Sequence, residues 1–297
     1  MTTTPSTTRS VTERLGDAHG NLTMLALDQR ESLRTMFTDA GHADVGDDDL
    51  RRFKVDGVRI LSPHASAVLL DRPLGLAADG TAPLAEGSRL ILAADVLLQQ
   101  PGGAVTGSEL DPEVTEELVR ASGAEALKFL VIWRQGTGVA ERADLVGQFL
   151  DLARRTGTVS LLEGIVRTGD GSPFARHEDR HDAIVEAATE LASFGPDVYK
   201  AEVPGYVPGD QSGVQEEARR LSAAIDVPWV VLSNGTRAED FREAVGQACA
   251  GGASGFLAGR AVWADTVPEA DYSAAMADRS VRRLQDLAET VRQARPA

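Results

Sequence analysis

The sequence is short of cysteine and of long apolar runs, and each shortage excludes a class of protein. Cys249 is the only cysteine, so no disulfide can form within the chain, and we expect a reducing compartment. No apolar run reaches the length of a transmembrane helix, and residues 1–10 lack the hydrophobic region of a signal peptide. We therefore expect a cytoplasmic protein with a disordered tail over residues 1–10. Cys249 itself lies in a helical pattern, where a small buried hydrophobe is expected rather than a nucleophile.

Positive charge is also scarce, because the formal net charge is -15 at pH 7. Such an acidic chain argues against nucleic acid or an anionic membrane as a partner. An anionic small molecule would have to be held by a few local cationic groups and by backbone N–H groups.

What the chain does have is a regular alternation of apolar strands and helical patterns. Ser10 and Glu13 have the spacing of a capping box for a first short helix, and Asp111-Pro112 predicts the start of a helix that runs to Gly123. The predicted strands are 22–27, 67–70, 90–94, 126–133, 159–166, 197–203, 229–232 and 255–258.

Strands that alternate with helices imply parallel pairing, and eight of them fit a single closed (β/α)8 barrel over residues 11–297. An open, doubly wound sheet is the alternative architecture. The segment after the first strand, Asp28-Gln29-Arg30, argues against it because it is not a glycine-rich dinucleotide loop.

In such a barrel the carboxyl ends of the strands meet at one mouth, which is where active sites lie. Polar residues at these predicted ends are Asp28, Gln29, Arg30, Lys128, Glu163, Lys200, Glu202, Ser233, Gly235, Gly259 and Arg260. Their convergence predicts a functional site at the mouth.

Lys200 is the residue on which the chemistry depends. Only three of the 30 basic residues are lysines, and Lys200 lies inside an apolar strand. A buried amine must pair or lose its proton, and a neutral amine can form a Schiff base with a carbonyl. Lys128 can favour the neutral form as a neighbouring cation, and Glu163 can transfer protons. The alternative is an ion-pair layer, with Lys200 paired to Glu202 or another acid.

The last two strands are followed by Ser233-Asn234-Gly235 and by Gly259-Arg260. Barrels commonly bind phosphate at this position with glycine N–H groups, and Arg260 adds a fork that suits an oxyanion. The alternative is that these glycines serve only the geometry of the turns.

His177 and His181 match the H-E-x-x-H zinc pattern. We interpret the match as coincidence, because the pair opens a helix where acids are expected in any case and no third ligand is evident nearby. The sequence therefore predicts no metal and no cofactor.

Segments 24–31, 53–55, 61–67, 126–133, 197–204 and 252–263 together resemble a known family. The chain is similar to class I aldolases of the tagatose-bisphosphate aldolase type, and most of all to the sulfofructosephosphate aldolases of sulfoquinovose breakdown. The resemblance implies a (β/α)8 barrel and a metal-independent cleavage of 6-deoxy-6-sulfofructose 1-phosphate. The products would be dihydroxyacetone phosphate and 3-sulfolactaldehyde.

The resemblance also implies roles for individual residues. Lys200 would form the Schiff base, Glu163 would be the general acid and base, and Asp28 would align the sugar hydroxyls. Lys128 would be a substrate-binding residue. Residues that would hold the phosphate are Ser233, Gly235, Gly259 and Arg260, and residues near the sulfonate would be Gln29, Arg30 and Ser62.

Other functions stay open at this point. One is a tagatose- or fructose-1,6-bisphosphate aldolase, or a transaldolase, that uses the same lysine. Another is a barrel that binds a sugar phosphate without turnover, and a third is a zinc enzyme built on the histidine pair. The expected partner is a small sugar phosphate, and by analogy with similar barrels we expect a homo-oligomer.

Overall fold

The computed structural model describes residues 10–100 and 103–295 of the chain. The predicted disordered tail lies outside the described residues, apart from Ser10. Ser10 caps helix α1 (Val11–Leu15), and its hydroxyl accepts a hydrogen bond from the Glu13 N–H at 3.3 Å. The Glu13 carboxylate accepts one in return from the Ser10 N–H at 2.6 Å. The predicted capping box is thus confirmed.

The described strands build a closed barrel and one separate hairpin. The strands are β1 (Leu22–Ala26), β2 (Ala67–Asp71), β3 (Arg89–Ala93), β4 (Asp95–Leu98), β5 (Gly107–Leu110), β6 (Ala126–Arg134), β7 (Val159–Arg167), β8 (Val198–Ala201), β9 (Trp229–Leu232) and β10 (Gly255–Ala258). Eight of them close in the order β1-β10-β9-β8-β7-β6-β3-β2, and every neighbouring pair is parallel. The predicted (β/α)8 barrel is confirmed.

Helices surround the barrel. After α1 they are α2 (Glu31–Asp39), α3 (Asp47–Leu61), α4 (Arg72–Gly75), α5 (Glu116–Ser122), α6 (Val139–Thr156), α7 (His177–Ala192), α8 (Val214–Ala224), α9 (Ala238–Ala250), α10 (Arg260–Trp263), α11 (Tyr272–Ala275) and α12 (Val281–Ala294). No helix in the described ranges is long and apolar enough to cross a membrane.

The barrel strands are predominantly apolar because both of their faces are covered. In β2, Val68 and Leu70 belong to the core between barrel and helices, whereas Ala67 and Leu69 belong to the core inside the barrel. Side chains alternate between these two layers along each strand, so apolar residues occupy most positions on both faces of the barrel strands.

The hairpin of β4 and β5 was not predicted from the sequence. Its two strands pair antiparallel, with Asp95 opposite Leu110. Because the hairpin follows β3 directly, it stands at the carboxyl end of the barrel. There Leu97 and Val105 pack against an apolar cluster on the upper ends of the barrel strands.

The predicted helix start at Asp111-Pro112 is wrong. Helix α5 begins at Glu116 and is capped by Thr115, whose hydroxyl accepts the Leu118 N–H at 3.2 Å. The Asp111 carboxylate instead accepts the Glu113 N–H at 3.0 Å and pairs with Arg72 at 2.9 Å. Asp111 therefore closes a turn that joins the hairpin to the helix.

Strands β6 and β7 are the longest, with nine residues each. Their register continues from Ala126 opposite Val159 to Arg134 opposite Arg167. The two strands therefore rise past the barrel layer that contains Glu163 and form a wall of the mouth.

Candidate active site

Lys200 and Glu163 form the centre of the site. They lie opposite each other on β8 and β7, and the Lys200 Nζ donates to the Glu163 Oε2 at 2.9 Å. Both side chains are buried, as predicted for Lys200. Glu202 is not the partner of the lysine, because its carboxylate accepts the Val166 N–H at 2.8 Å and pairs with Arg180 at 3.0 Å.

Lys128 lies beside this pair, inside the same barrel. Its Nζ is 3.0 Å from a carboxylate oxygen of each of three residues, Asp28, Asp95 and Glu163. The Glu163 Oε2 is thus shared between two ammonium groups. Because three carboxylates surround Lys128, its charge is balanced locally, and its predicted effect on the Lys200 amine stays a prediction.

The lysines of the site keep the neighbouring carboxyl groups ionised. Burial alone would raise the pKa of Asp28 and Glu163, but attraction to the ammonium groups of Lys128 and Lys200 outweighs burial and lowers both pKa values. Burial would likewise lower the pKa of Lys128, yet its three carboxylates raise it well above the ordinary value. At neutral pH, Glu163 is therefore a carboxylate that can accept a proton, and Lys128 stays a cation.

Further charged side chains lie behind Lys128, on the side away from the cavity. Arg30 donates to the Asp95 carbonyl at 2.8 Å and to the Asp95 carboxylate at 3.2 Å, and its Nε is 3.9 Å from Asp71. Asp71 is also paired with Lys54, and both of these side chains are buried. Arg30 was predicted to lie near the sulfonate. In the structure Arg30 holds Asp95 and does not line the cavity, so its predicted role at the sulfonate gains no support from the geometry.

Ser62, the other residue predicted near the sulfonate, does not line the cavity either. Ser62 precedes β2, so it lies at the amino end of the parallel barrel, opposite the mouth. Its hydroxyl accepts the Ala85 N–H at 2.9 Å, and its carbonyl accepts the Ser88 hydroxyl at 2.9 Å. Ser62 therefore joins two segments at the base of the barrel.

The predicted phosphate loops meet at the mouth. The Gly259 N–H donates to the Ser233 Oγ at 3.4 Å, and Arg260 donates to the side-chain oxygen of Asn234. Gly235 does not join them. A Cβ added there would lie 3.2 Å from the Arg180 guanidinium. The φ of Gly235 is 77°, so glycine is favoured here by the backbone conformation of the turn.

These groups surround one cavity of ≈ 290 Å³. Predicted site residues that line it are Asp28, Gln29, Lys128, Glu163, Lys200, Ser233, Gly259 and Arg260. Other lining side chains include Ser32, Gln99, Arg167 and Asn234, together with apolar residues of β6, β7 and the hairpin. A small polar molecule in this cavity would contact the lysine pair and Arg260 together.

Sequence reasoning missed Asp95 and Arg167. Both follow an apolar run at a strand end, so the rule that identified Glu163 and Lys200 could also have found them. Asp95 is fully buried, and Arg167 is half-buried at the end of β7.

The histidine pair of α7 and the cysteine of α9 lie outside this cavity. His177 and His181 stack at a centroid distance of 6.4 Å on α7, and the described residues contain no group of three or more potential metal-binding side chains. Cys249 is buried on α9, and burial raises the pKa of its thiol to about 12. The predicted role of Cys249 as a buried hydrophobe is confirmed.

Comparison with known proteins places this site in a family. A family model described as DeoC/LacD family aldolase matches residues 22–265. The chain belongs to the DeoC/LacD family of aldolases. It is a class I aldolase, a carbon–carbon lyase that works through a lysine Schiff base.

Two bacterial relatives are similar along most of their length. Tagatose 1,6-diphosphate aldolase 1 of Enterococcus faecalis (strain ATCC 700802 / V583) is 31% identical over 86% of this chain and 83% of the relative. The protein of the same name from Streptococcus pyogenes serotype M3 (strain SSI-1) is 30% identical over 84% of this chain and 82% of the relative.

A solved structure is similar in fold. Fructose-bisphosphate aldolase from Plasmodium falciparum superposes with a TM-score of 0.71, at 14% identity, over 94% of this chain and 92% of that one. This likeness supports the barrel architecture.

Proposed function

We propose that the chain cleaves a ketohexose 1-phosphate that carries a second anionic group at C6. The products would be dihydroxyacetone phosphate and a three-carbon aldehyde. Tagatose 1,6-bisphosphate is the first substrate we propose, because the curated relatives carry that activity in their names. The observation that carries the proposal is the buried Lys200–Glu163 pair in a cavity that also contains Arg260.

The first step is attack of the Lys200 amine on the C2 carbonyl of the open-chain sugar. An ammonium group must lose its proton before it can attack, and the Glu163 carboxylate lies 2.9 Å from the Nζ to accept it. Loss of water from the resulting carbinolamine gives a protonated imine. The hydroxyl leaves with a proton that Glu163 returns.

The second step is cleavage of the C3–C4 bond. Glu163, again a carboxylate, takes the proton of the C4 hydroxyl, and the aldehyde carbonyl forms at C4 as the bond breaks. The electron pair of the bond flows into the imine and gives an enamine. Protonation of the enamine at C3 and hydrolysis release dihydroxyacetone phosphate and restore the amine.

Lys128 and Asp28 would hold the sugar in the orientation that this step requires. Their side chains pair at 3.0 Å beside Glu163, so both can reach a hydroxyl bound next to it. The lowered pKa of Asp28 keeps it a hydrogen-bond acceptor at neutral pH. At the other end, Arg260, Ser233 and the Gly259 N–H would hold the C1 phosphate.

6-Deoxy-6-sulfofructose 1-phosphate is the second candidate substrate. The resemblance of segments 197–204 and 252–263 to the sulfofructosephosphate aldolases favours it. Of the three residues first expected near the sulfonate, Gln29 lines the cavity, whereas Arg30 and Ser62 do not. A sulfonate and a phosphate both present oxygens to a guanidinium, so the same cavity suits either sugar.

Release of dihydroxyacetone phosphate tests this proposal. The purified chain and its Lys200→Met variant are each given tagatose 1,6-bisphosphate, fructose 1,6-bisphosphate or the sulfonated sugar. A coupled enzymatic reduction of the released dihydroxyacetone phosphate is monitored as the oxidation of NADH. We expect release from the bisphosphates with the unmodified chain and none with the variant. Faster release from the sulfonated sugar would put the second candidate first, and no release from any sugar would overturn the proposal.

Three further expectations stay predictions. They are the transaldolase alternative, the homo-oligomer and the cytoplasmic location. Transfer of the three-carbon unit to an added aldehyde acceptor, at the expense of free product, would favour the transaldolase.

A further inference from the structure

Two arginines line the cavity, Arg260 and Arg167. Among the described residues, no carboxylate oxygen lies within 4.0 Å of either guanidinium. In contrast, Arg30, which was first expected to bind the distal end of the substrate, is held by Asp95. An unpaired arginine in a cavity of an otherwise acidic protein is a binding group for an anion.

The strand order puts the two arginines on different sides of the lysine. Arg260 follows β10 and Arg167 ends β7, and the order β10-β9-β8-β7 leaves the strand of Lys200 between them. On β7, Glu163, Ile165 and Arg167 all line the cavity, as alternate residues of a strand should. Arg167 is four residues beyond Glu163, about 13 Å along the strand in the direction of the mouth. Because β9 and β8 separate its strand from β10, an anion bound by Arg167 would belong to a different end of the substrate from the anion held by Arg260.

Apolar side chains line the cavity on the two strands that lead to Arg167 and its neighbour. Leu130, Ile132 and Ile165 of β6 and β7 belong to one apolar cluster, and Val105 of the hairpin packs against it. The described side-chain hydrogen bond of Arg167 goes to a neighbour in sequence, from Nη1 to the Val166 carbonyl at 2.7 Å. A half-buried cation beside apolar groups is stabilised when an anion binds it, because the ion pair forms with little competing water.

We infer that Arg167 binds the anionic group at C6 of the substrate, a phosphate or a sulfonate, and so selects sugars with an anion at each end. This inference rests on the proposed function, because it assumes that Arg260 holds the C1 phosphate. Arg167, and not Arg30, is then the residue that binds the anion at the distal end of the substrate.

Arg134 is a matched control for Arg167. It occupies the same register on the neighbouring strand β6, where its Cα is paired with that of Arg167. Arg134 donates to the Thr106 carbonyl at 2.8 Å and does not line the cavity. Loss of either arginine removes one positive charge at the rim, but only Arg167 would contact the substrate.

The test compares kcat/KM for the unmodified chain, Arg167→Gln, Arg167→Lys and Arg134→Gln. The substrates are tagatose 1,6-bisphosphate, 6-deoxy-6-sulfofructose 1-phosphate and fructose 1-phosphate, which has no anion at C6. For the two doubly anionic sugars, Arg167→Gln should lower kcat/KM on the order of 10- to 100-fold, mainly through KM, because a charge-assisted hydrogen bond is lost. Arg167→Lys should recover part of this loss, since it keeps the charge without the fork.

For fructose 1-phosphate, Arg167→Gln should lower kcat/KM far less than for the doubly anionic sugars, and Arg134→Gln should match the unmodified chain with every sugar. An equal loss for all three sugars, or no loss for the doubly anionic ones, would overturn the role of Arg167 and leave the aldolase proposal intact. If the unmodified chain cleaves none of the sugars, the proposed substrate class falls and the subsite falls with it. The two doubly anionic sugars show whether phosphate or sulfonate is the preferred anion.

Discussion

Asp95 is the residue whose replacement tests the charge network most sharply. Its Oδ2 accepts from the Lys128 Nζ and from the Leu130 N–H, each at 3.0 Å, and its Oδ1 accepts from Arg30 at 3.2 Å. The Asp95→Asn variant keeps the size of the side chain but replaces one oxygen with an amide NH2. In either orientation that NH2 faces a donor, so at least one hydrogen bond is lost together with the negative charge.

The size of the effect follows from burial. Asp95 is fully buried, and removing one partner of a buried ion pair costs about 3–5 kcal/mol of stability. Lys128 still keeps Asp28 and Glu163 as partners. We therefore expect the lower end of that range, about 3 kcal/mol, for Asp95→Asn.

Urea unfolding at pH 7, followed by circular dichroism, measures this loss as a change in the free energy of unfolding. Asp111→Asn is the matched control, because Asp111 is also buried but pairs with Arg72, which is 32% exposed. Solvent weakens that pair, so we expect a loss of about 1 kcal/mol for the control. A loss for Asp95→Asn no larger than that of the control would show that the buried pairing of Asp95 with Lys128 and Arg30 adds no more stability than a partly exposed ion pair.

Three further predictions follow from the site. Glu163→Gln should lower kcat by about 10²- to 10⁴-fold in the coupled assay, because it removes the proton acceptor, and an unchanged kcat would contradict its role. Because the pKa values of Asp28 and Glu163 are lowered in the folded chain, their ionised forms stabilise the fold. This stabilisation is fully present above about pH 5 and is lost as the pH falls through the lowered values. Between pH 7 and pH 3 the free energy of unfolding should therefore fall less for Glu163→Gln than for the unmodified chain. An identical fall in both would count against this link between the Glu163 pKa and stability. Gly164→Ala should destabilise the fold by about 1–3 kcal/mol, because its Cβ would lie 2.2 Å from the Tyr199 hydroxyl. Gly147→Ala on α6, where nothing lies within 4 Å, is the control and should not destabilise the fold; equal melting temperatures for the two variants would contradict the clash.

The barrel could be predicted because its strands are short apolar runs between strong turn signals. The predicted strands 229–232 and 255–258 coincide with β9 and β10. The hairpin could not be predicted in the same way, because Asp95–Leu98 and Gly107–Leu110 contain charged, polar and glycine residues. Pairing between such strands depends on the barrel beneath them.

The centre of the site was also predictable, whereas its outer parts were not. Lys200 and Glu163 were expected at one mouth because parallel strands bring their carboxyl ends together. The sequence cannot show which partner a long side chain finds, so Arg30 was expected in the cavity and instead holds Asp95. Ser62 was misplaced because the resemblance suggested its role, while its position before β2 puts it at the opposite end.

Borohydride trapping on the intact chain shows directly whether Lys200 forms the Schiff base. The protein is incubated with dihydroxyacetone phosphate, reduced, digested and analysed by mass spectrometry. The chain has only three lysines, Lys54, Lys128 and Lys200, so each one can be assigned to its own peptide. We expect a reduced adduct on Lys200 and none on the other two. An adduct on Lys128 with Lys200 unmodified, or no adduct at all, would contradict this expectation.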